Sequence, residues 1–326
     1  MRLCPGGSRP LNPAHGSLQP LGQGRAGRGT AYAVALLVTA LWSSSFVLIK
    51  WGLADIPPLY FATLRYALAF AILLAIMAAT RGRRKEPLPA GRRRWALLTV
   101  AGVAGYTVAQ GFQYVGLYYV PAVTTSLILN FTPFFVLLLG ASFLDERVSV
   151  AQVGALGVAV LGAMVYFSAK ASGGGDWFGV LVVASSGAGW AVYVAVVRKI
   201  QKSGAMGSLS LTTITMGAGV AGMVVLSAAF GEYAPLSAAG AATVVVLAVA
   251  NTAFAFLAWN WTLKAIPAYE LTVLQDLMLV EIAVFSLVFL GEVITPAMYA
   301  GIALVLAGVV LVQLMVRRPG AQKPGF

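Results

Sequence analysis

The chain reads as an all-α polytopic membrane protein, with ten transmembrane helices built as two inverted five-helix repeats, and three observations lead there. Sixty percent of its 326 residues are hydrophobic and only 10% are charged, against about 25% charged residues in an ordinary soluble domain. The apolar residues gather into ten stretches of roughly 18 to 23 residues, each long enough to cross a ~30 Å hydrocarbon core as a helix. The second half also repeats the first at a spacing of 146 residues without a gap: Val120-Pro121-Ala122 matches Ile266-Pro267-Ala268, Asn130 matches Asp276, Glu146 matches Glu292, Ser149 matches Thr295 and Gly162 matches Gly308. Trp42 and Trp190 join this register with a small shift, 148 apart. Five crossings begin and end on opposite sides of a bilayer, so a second copy inserts upside down, related to the first by a pseudo-two-fold axis in the membrane plane.

The first-copy helices are predicted at Tyr32 to Ile49, Leu59 to Ala79, Trp95 to Leu117, Ala122 to Phe143 and Val150 to Phe167. Those of the second copy are predicted at Phe178 to Val197, Leu209 to Phe230, Ala241 to Leu263, Tyr269 to Leu290 and Ala297 to Met315. This divides the chain into a tail at 1–30, a first repeat at 31–168, an outside linker at 169–176, a second repeat at 177–316 and a second tail at 317–326. The first tail is rich in Gly, Pro and Arg and has no apolar core, so it reads as disordered and not as a signal peptide.

A net charge of +12 invites nucleic acid as a partner, but the cations alternate with the loops instead of forming a binding stripe. With the amino terminus inside, 19 of the 22 Lys and Arg are cytoplasmic, Lys50 and Lys170 are outside, and Arg65 lies within a helix. Both termini are therefore expected to face the cytoplasm. Trp51, Trp95, Trp177 and Trp261 fall near helix ends, where amphipathic rings anchor in the headgroup layer. The single Cys4 and the single His15 both lie in the first tail. Disulfides, the usual Cys or His metal sites and a histidine proton carrier inside the membrane are thereby not expected, and no cofactor is implied.

Ionisable groups at bilayer depth cost about 2.5 to 3.5 kcal/mol on insertion scales and usually face the bundle interior. Four fall inside the predicted helices: Arg65, Glu270, Asp276 and Glu281. The repeat singles out Asp276, because Ser126 and Asn130 correspond to Thr272 and Asp276, each pair i, i+4 on one helix face. Asn130 and Asp276 are therefore expected to line a central path with Gln275 beside them, the alternative being simple hydrogen bonding between helices. Asp276 is also the candidate for proton coupling, since desolvation favours the protonated carboxyl.

Arg65 and Glu281 share a depth of roughly 10 to 14 Å from the outer helix ends, which predicts an internal ion pair. The functional alternative is that Arg65 holds a substrate carboxylate. Trp42, Tyr114, Trp190, Tyr193, Trp259 and Asn260 are candidates to line a cavity for a small organic solute, against core packing or an interface belt. Tyr106, Gln110 and Gln113 share one face of the third helix. Glu146 and Glu292 are assigned to structure, each preceding a helix whose positive dipole end favours a carboxylate, with Ser149 and Thr295 as N-caps. Gly154, Gly157, Gly162, Gly301 and Gly308 are expected to allow close helix approach.

The apolar helices ending in Leu-Asp-Glu146 and Leu-Gly-Glu292, each followed by a Gly-rich helix, resemble the EamA-like family of the drug/metabolite transporter superfamily over about residues 31 to 316. Further matches are Ala-Leu-Trp42-Ser-Ser-Ser-Phe, Leu64-Arg65-Tyr66, Thr132-Pro133 and Trp259-Asn260-Trp261-Thr262-Leu263-Lys264. The resemblance implies two five-helix repeats in a bacterial inner membrane and movement of amino acids or other small metabolites, often outward. The chain departs from many relatives where the ninth helix carries a Glu-Pro pair, having Met278-Leu279 there.

The expected function is a secondary transporter in which solute enters between the repeats, the halves rock and the cavity reopens opposite. Its partners are then a small-molecule solute and the lipid bilayer, and a monomer suffices although a dimer is compatible. Uptake or exchange is the alternative direction, and a membrane sensor that binds without moving its ligand is a third reading. An intramembrane enzyme is disfavoured: an aspartyl mechanism needs two facing carboxylates and a serine mechanism needs a base such as His. The sequence also lacks a GxxxxGK[ST] phosphate loop.

Overall fold

The structure, a computed structural model, describes residues 25–80, 91–136, 150–170, 176–202, 206–262 and 274–316. These residues are helical throughout apart from short turns, with no strand among them. Helix occupies part of each of the ten predicted stretches: α1 (Arg25–Gly52), α2 (Pro58–Thr80), α3 (Arg92–Tyr119), α4 (Ala122–Val136), α5 (Val150–Lys170), α6 (Trp177–Lys202), α7 (Ser208–Ala229), α8 (238–262), α9 (274–290) and α10 (Pro296–Val316). Seven helices among the described residues are long and apolar enough to cross a membrane, and α4 and the 296–312 part of α10 are shorter apolar helices. Large apolar side chains such as Leu37, Val153, Leu181, Val225 and Val288 are exposed along the outside. Water cannot stabilise such a surface, so this is a multi-span α-helical membrane protein.

Two expected boundaries differ, since the first two residues of the linker predicted at 169–176 belong to α5, and the first tail is also shorter than predicted. Helix α1 begins at Arg25, so 25–30 of the predicted tail is helical. Composition alone placed that boundary, yet a lone Gly29 costs a helix only about 1 kcal/mol and does not stop it. Glu146, Ser149, Glu270 and Thr272 lie outside the described residues, as do 1–24, 317–326 and the side chain of Asn260.

The two halves of the sequence do not form two separate bundles. One apolar cluster joins α1, α2 and α3 to α7, α8 and α9 through Phe46, Phe61, Tyr66, Tyr114, Met216, Leu247 and Ile282. A second joins α4 and α5 to α9 and α10 through Val123, Leu127, Ala159, Leu279, Val305 and Val309. Pairing follows the repeat register: α1 packs on α8 and α9 while α6 packs on α3 and α4, and α2, α4 and α5 pack on α7, α9 and α10.

The α5 and α10 seam shows why glycine is needed. A Cβ on Gly162 would lie 2.7 Å from the Gly301 carbonyl, one on Gly301 2.7 Å from the Gly162 carbonyl, and one on Gly308 2.7 Å from the Ala155 carbonyl. These pairings run in opposite senses along the two helices, so α5 and α10 are antiparallel at backbone contact. Dispersion between close-packed backbones supplies the attraction that apolar side chains cannot provide in lipid. Gly154 and Gly157, expected at such a contact, instead have no atom of the described residues within 4 Å of the position a methyl would take, and they are exposed on α5. They lie one face away from the row carrying Ala155, Ala159 and Gly162.

Helix interiors are broken at matched places. Wider π-type turns replace α-helix at Val103–Gly111 in α3 and at Val249–Phe254 in α8, and position 103 plus 146 is 249. Helix α4 is interrupted by turn residues Asn130 and Phe131, and α9 by Leu277, the counterpart of Phe131. In α4 the cause is Pro133, whose missing N–H cannot bond the Leu129 carbonyl. The break in α9 forms without a proline.

Candidate functional site

Hydroxyl, amide and charged groups converge on one layer inside this apolar bundle. From α1 come Thr39, Ser43 and Ser45, all buried, with half-buried Ser44 among them. Arg65 and Tyr66 enter from α2, Gln110 and Tyr114 from α3, Asn251 and Thr252 from α8, and Glu281 from α9. Gln110, Asn251 and Thr252 sit within the π-type turns, where a wider backbone ladder displaces side chains from regular helical register, a feature often found at functional sites.

Asn251 braces α8 to α1. Its amide Nδ2, with two hydrogens, lies within hydrogen-bond distance of the Leu41 carbonyl and of the Ser44 and Ser45 hydroxyls, the last two at 3.1 and 3.0 Å. Next to it, Thr252 donates to the Leu247 carbonyl at 2.9 Å, which turns a lone pair of its Oγ1 toward Arg65. Arg65 Nε donates to that oxygen at 2.9 Å and Nη1 donates to the Tyr114 hydroxyl at 3.2 Å. The guanidinium carbon also lies 5.3 Å from the centre of the Tyr66 ring, within cation–π range. Tyr66 in turn donates to Gln110 Oε1 at 2.6 Å.

Arg65 is only 5% exposed, yet its partners among the described residues are all neutral. The expected ion pair with Glu281 is not formed. Glu281 Oε1 accepts from Thr39 at 3.0 Å and Oε2 accepts from Ser43 at 2.7 Å, both hydroxyls lying one turn apart on α1. Equal depth placed Arg65 and Glu281 together, but α8 supplies Arg65 with Thr252 and α1 supplies Glu281 with its two hydroxyls. Two opposite charges therefore occupy one polar layer without neutralising each other by contact.

The residues singled out by the repeat occupy other positions. Asn130 is half-buried at the α4 break, where its Nδ2 donates back to the Ser126 carbonyl at 2.9 Å. Ser126 Oγ is buried without a hydrogen-bond partner among the described residues. Asp276 is half-buried and Gln275 exposed, just before the α9 break. Trp42 is half-buried and packs on Trp259 and Phe256 with ring centres 5.1 and 5.7 Å away, which ties α1 to α8. Trp190 stacks on Tyr193 at 4.9 Å, and Tyr193 meets Tyr106 edge-on at 5.7 Å. Tyr114 is fully buried, edge-on to Phe61, and serves Arg65 as a hydrogen-bond acceptor.

Glu292 caps a different helix from the one expected. Its two carboxylate oxygens accept from the Ala122 and Val123 N–H groups at 2.7 and 3.2 Å, capping α4 of the other half. Gly291, at φ 64°, makes the left-handed turn that aims the chain there. Glu232 repeats the device after Gly231 (φ 65°), accepting from the Leu59 and Tyr60 N–H groups of α2 at 2.7 and 3.1 Å. The following helix α10 is capped by Thr295, whose Oγ1 accepts from the Met298 N–H at 3.3 Å, with Pro296 as its first residue.

Sequence reasoning missed Thr39, Ser43, Asn251, Thr252 and Glu232. Selection by repeat symmetry could not find Asn251 and Thr252, because their counterparts are Gly105 and Tyr106. One signal was present in the Trp42-Ser-Ser-Ser run, three consecutive small hydroxyls inside an apolar helix.

A bundle with a lipid-facing exterior and a charged layer held between interleaved halves has the build of a membrane transporter. The chain belongs to the EamA-like transporter family, whose description matches it twice, over residues 29–168 and 177–314. It is 29% identical over 296 residues to a probable terminal-alkyne amino-acid exporter of Streptantibioticus cattleyicolor, covering 89% of this chain and 97% of that one. It is 32% identical over 145 residues to a probable amino-acid metabolite efflux pump of Salmonella typhimurium, covering 43% and 44% of the two chains. A solved structure titled only as the crystal structure of a protein shares the fold, with a TM-score of 0.62 and 20% identity over 89% of this chain and 99% of that one.

Proposed function

We propose that this protein is a secondary exporter of amino acids or closely related carboxylate metabolites across a bacterial plasma membrane. It works by alternating access between two inverted five-helix repeats, with both termini cytoplasmic. The observation that carries the substrate class is Arg65. A buried guanidinium whose partners among the described residues are all neutral is costly in low dielectric, and a solute carboxylate matches its planar fork. The names borne by the Streptantibioticus and Salmonella relatives point to the same class.

Repeat-matched packing and the antiparallel α5–α10 seam support the inverted arrangement. The matched helix breaks at Asn130 and beside Asp276 support those residues as walls of the path, since carriers build solute sites where helices are discontinuous. Gln275, Trp42, Trp190, Tyr114 and Asn260 complete the proposed lining.

The test is counterflow in proteoliposomes with the common amino acids, each beside its C-terminal amide and its decarboxylated amine. At least one amino acid should exchange, with its amide and amine at least tenfold slower, about 1.4 kcal/mol of discrimination. Arg65→Gln should remove that preference and Arg65→Lys should keep part of it. Equal movement of acid and amide, or an unaltered preference in Arg65→Gln, rejects the carboxylate assignment.

A further inference from the structure

We infer that Glu281, and not Asp276, is the proton-binding group of this carrier, held in a contact between α1 and α9 that is complete in either protonation state. The inference goes beyond the proposed function and rests on a different observation. Thr39 Oγ1 lies within hydrogen-bond distance of two acceptors, Glu281 Oε1 at 3.0 Å and the Leu36 carbonyl at 2.9 Å. A threonine has one hydroxyl hydrogen. It can serve only one of these acceptors at a time, and the charge on Glu281 decides which.

With Glu281 ionised, Thr39 donates to Oε1 and Ser43 donates to Oε2 at 2.7 Å. When a proton from water binds Oε1, the new carboxyl O–H donates to Thr39 Oγ1. The Thr39 hydrogen swings to the Leu36 carbonyl, and Ser43 continues to donate to Oε2. Every polar atom keeps a partner, no heavy atom needs to move far, and one proton is stored. A carboxylate fixed by a cation or by backbone N–H groups has no such second state, which separates Glu281 from Glu292 and Glu232.

Among the described residues Glu281 bonds two hydroxyls and no cation. From α1 it meets Thr39 and Ser43, with Lys50 two turns further out on the same helix. Helix α4, packed on α9, has no ionisable side chain over Ala122–Val136. On α9 itself Asp276 is five positions earlier, on the other side of the break at Leu277, and Arg65, the cation of the layer, is bound to Thr252 and Tyr114. Because α1 and α9 come from opposite halves of the sequence, the charge on Glu281 bears directly on a contact that rocking has to change.

Infrared difference spectroscopy of the purified full chain between acid and neutral pH tests the site without knowledge of the solute. Of the ten Asp and Glu side chains, Glu281 should supply one resolved component of the protonated-carboxyl C=O band, a component that Glu281→Gln loses and Asp276→Asn retains. Thr39→Val keeps the carboxyl but deletes the switch, so its band should persist at a shifted frequency. A wild-type spectrum that Glu281→Gln leaves unchanged, or a component that disappears only in Asp276→Asn, overturns the inference. A second arm uses proteoliposomes containing pyranine and a mixture of the twenty common amino acids. Amino-acid release should carry a proton signal in wild type, and in Glu281→Gln that signal should be at least tenfold smaller, whether release persists or is lost. An undiminished proton signal in that variant overturns coupling through Glu281. If wild type releases no amino acid, the transport proposal fails while the infrared result still decides the proton site.

Discussion

Single residues in this protein act across long stretches of chain. Glu292 and Ala122 are 170 positions apart, yet the carboxylate replaces two hydrogen-bond partners that the first turn of α4 otherwise lacks. Glu292→Ala should cost about 1–2 kcal/mol, the worth of an N-cap together with the dipole it faces. Glu292→Gln, which keeps one acceptor, should cost less, and the comparison is made by thermal unfolding in detergent. Equal stability of Glu292→Ala and wild type would show that this cap contributes nothing. Arg65 shows the opposite limit of sequence reading: rotation and neighbours were not legible, so the group expected to neutralise it lies against another helix.

Helix pairs are decided by which face carries the small residues. Gly162, Gly301 and Gly308 place α5 and α10 in backbone contact, whereas Gly154 and Gly157 are exposed, with no atom of the described residues within 4 Å of an added methyl. Gly301→Val should therefore destabilise the seam by about 1–3 kcal/mol or more through overpacking. Gly154→Ala and Gly157→Ala should be neutral or slightly stabilising, because alanine is the better helix former by up to about 1 kcal/mol. Thermal unfolding of the three variants side by side separates the two classes, and similar losses in all three would contradict the seam. The sequence held all five glycines in view but not the outward rotation of two, since a 3.6-residue period fixes relative faces and leaves open which face meets a partner.

For the whole molecule, the interleaved cores mean that neither half encloses the polar layer alone: Arg65 needs Thr252, and Glu281 needs Thr39 and Ser43. The proposed orientation makes a direct prediction once the native Cys4 is replaced by Ser. A membrane-impermeant thiol reagent added to intact cells should label Tyr233→Cys, in the exposed turn between α7 and α8. Arg92→Cys, at the exposed start of α3, should be labelled only after the membrane is opened. Labelling of both from outside would break the alternation of crossings on which the inverted arrangement depends.

Apolar length, charge placement and the 146-residue register determined from the sequence alone that the chain is helical, lives in lipid and is built from two related halves. Those properties follow from transfer free energies and spacing, which each segment carries by itself. Only the tertiary structure decided that Arg65 and Glu281 stay apart, that Glu292 caps α4, and that Asn251 and Thr252 complete the charged layer. Hydrogen bonds between helices depend on which rotation and depth minimise buried unpaired polarity for the entire bundle at once, and no single segment contains that information.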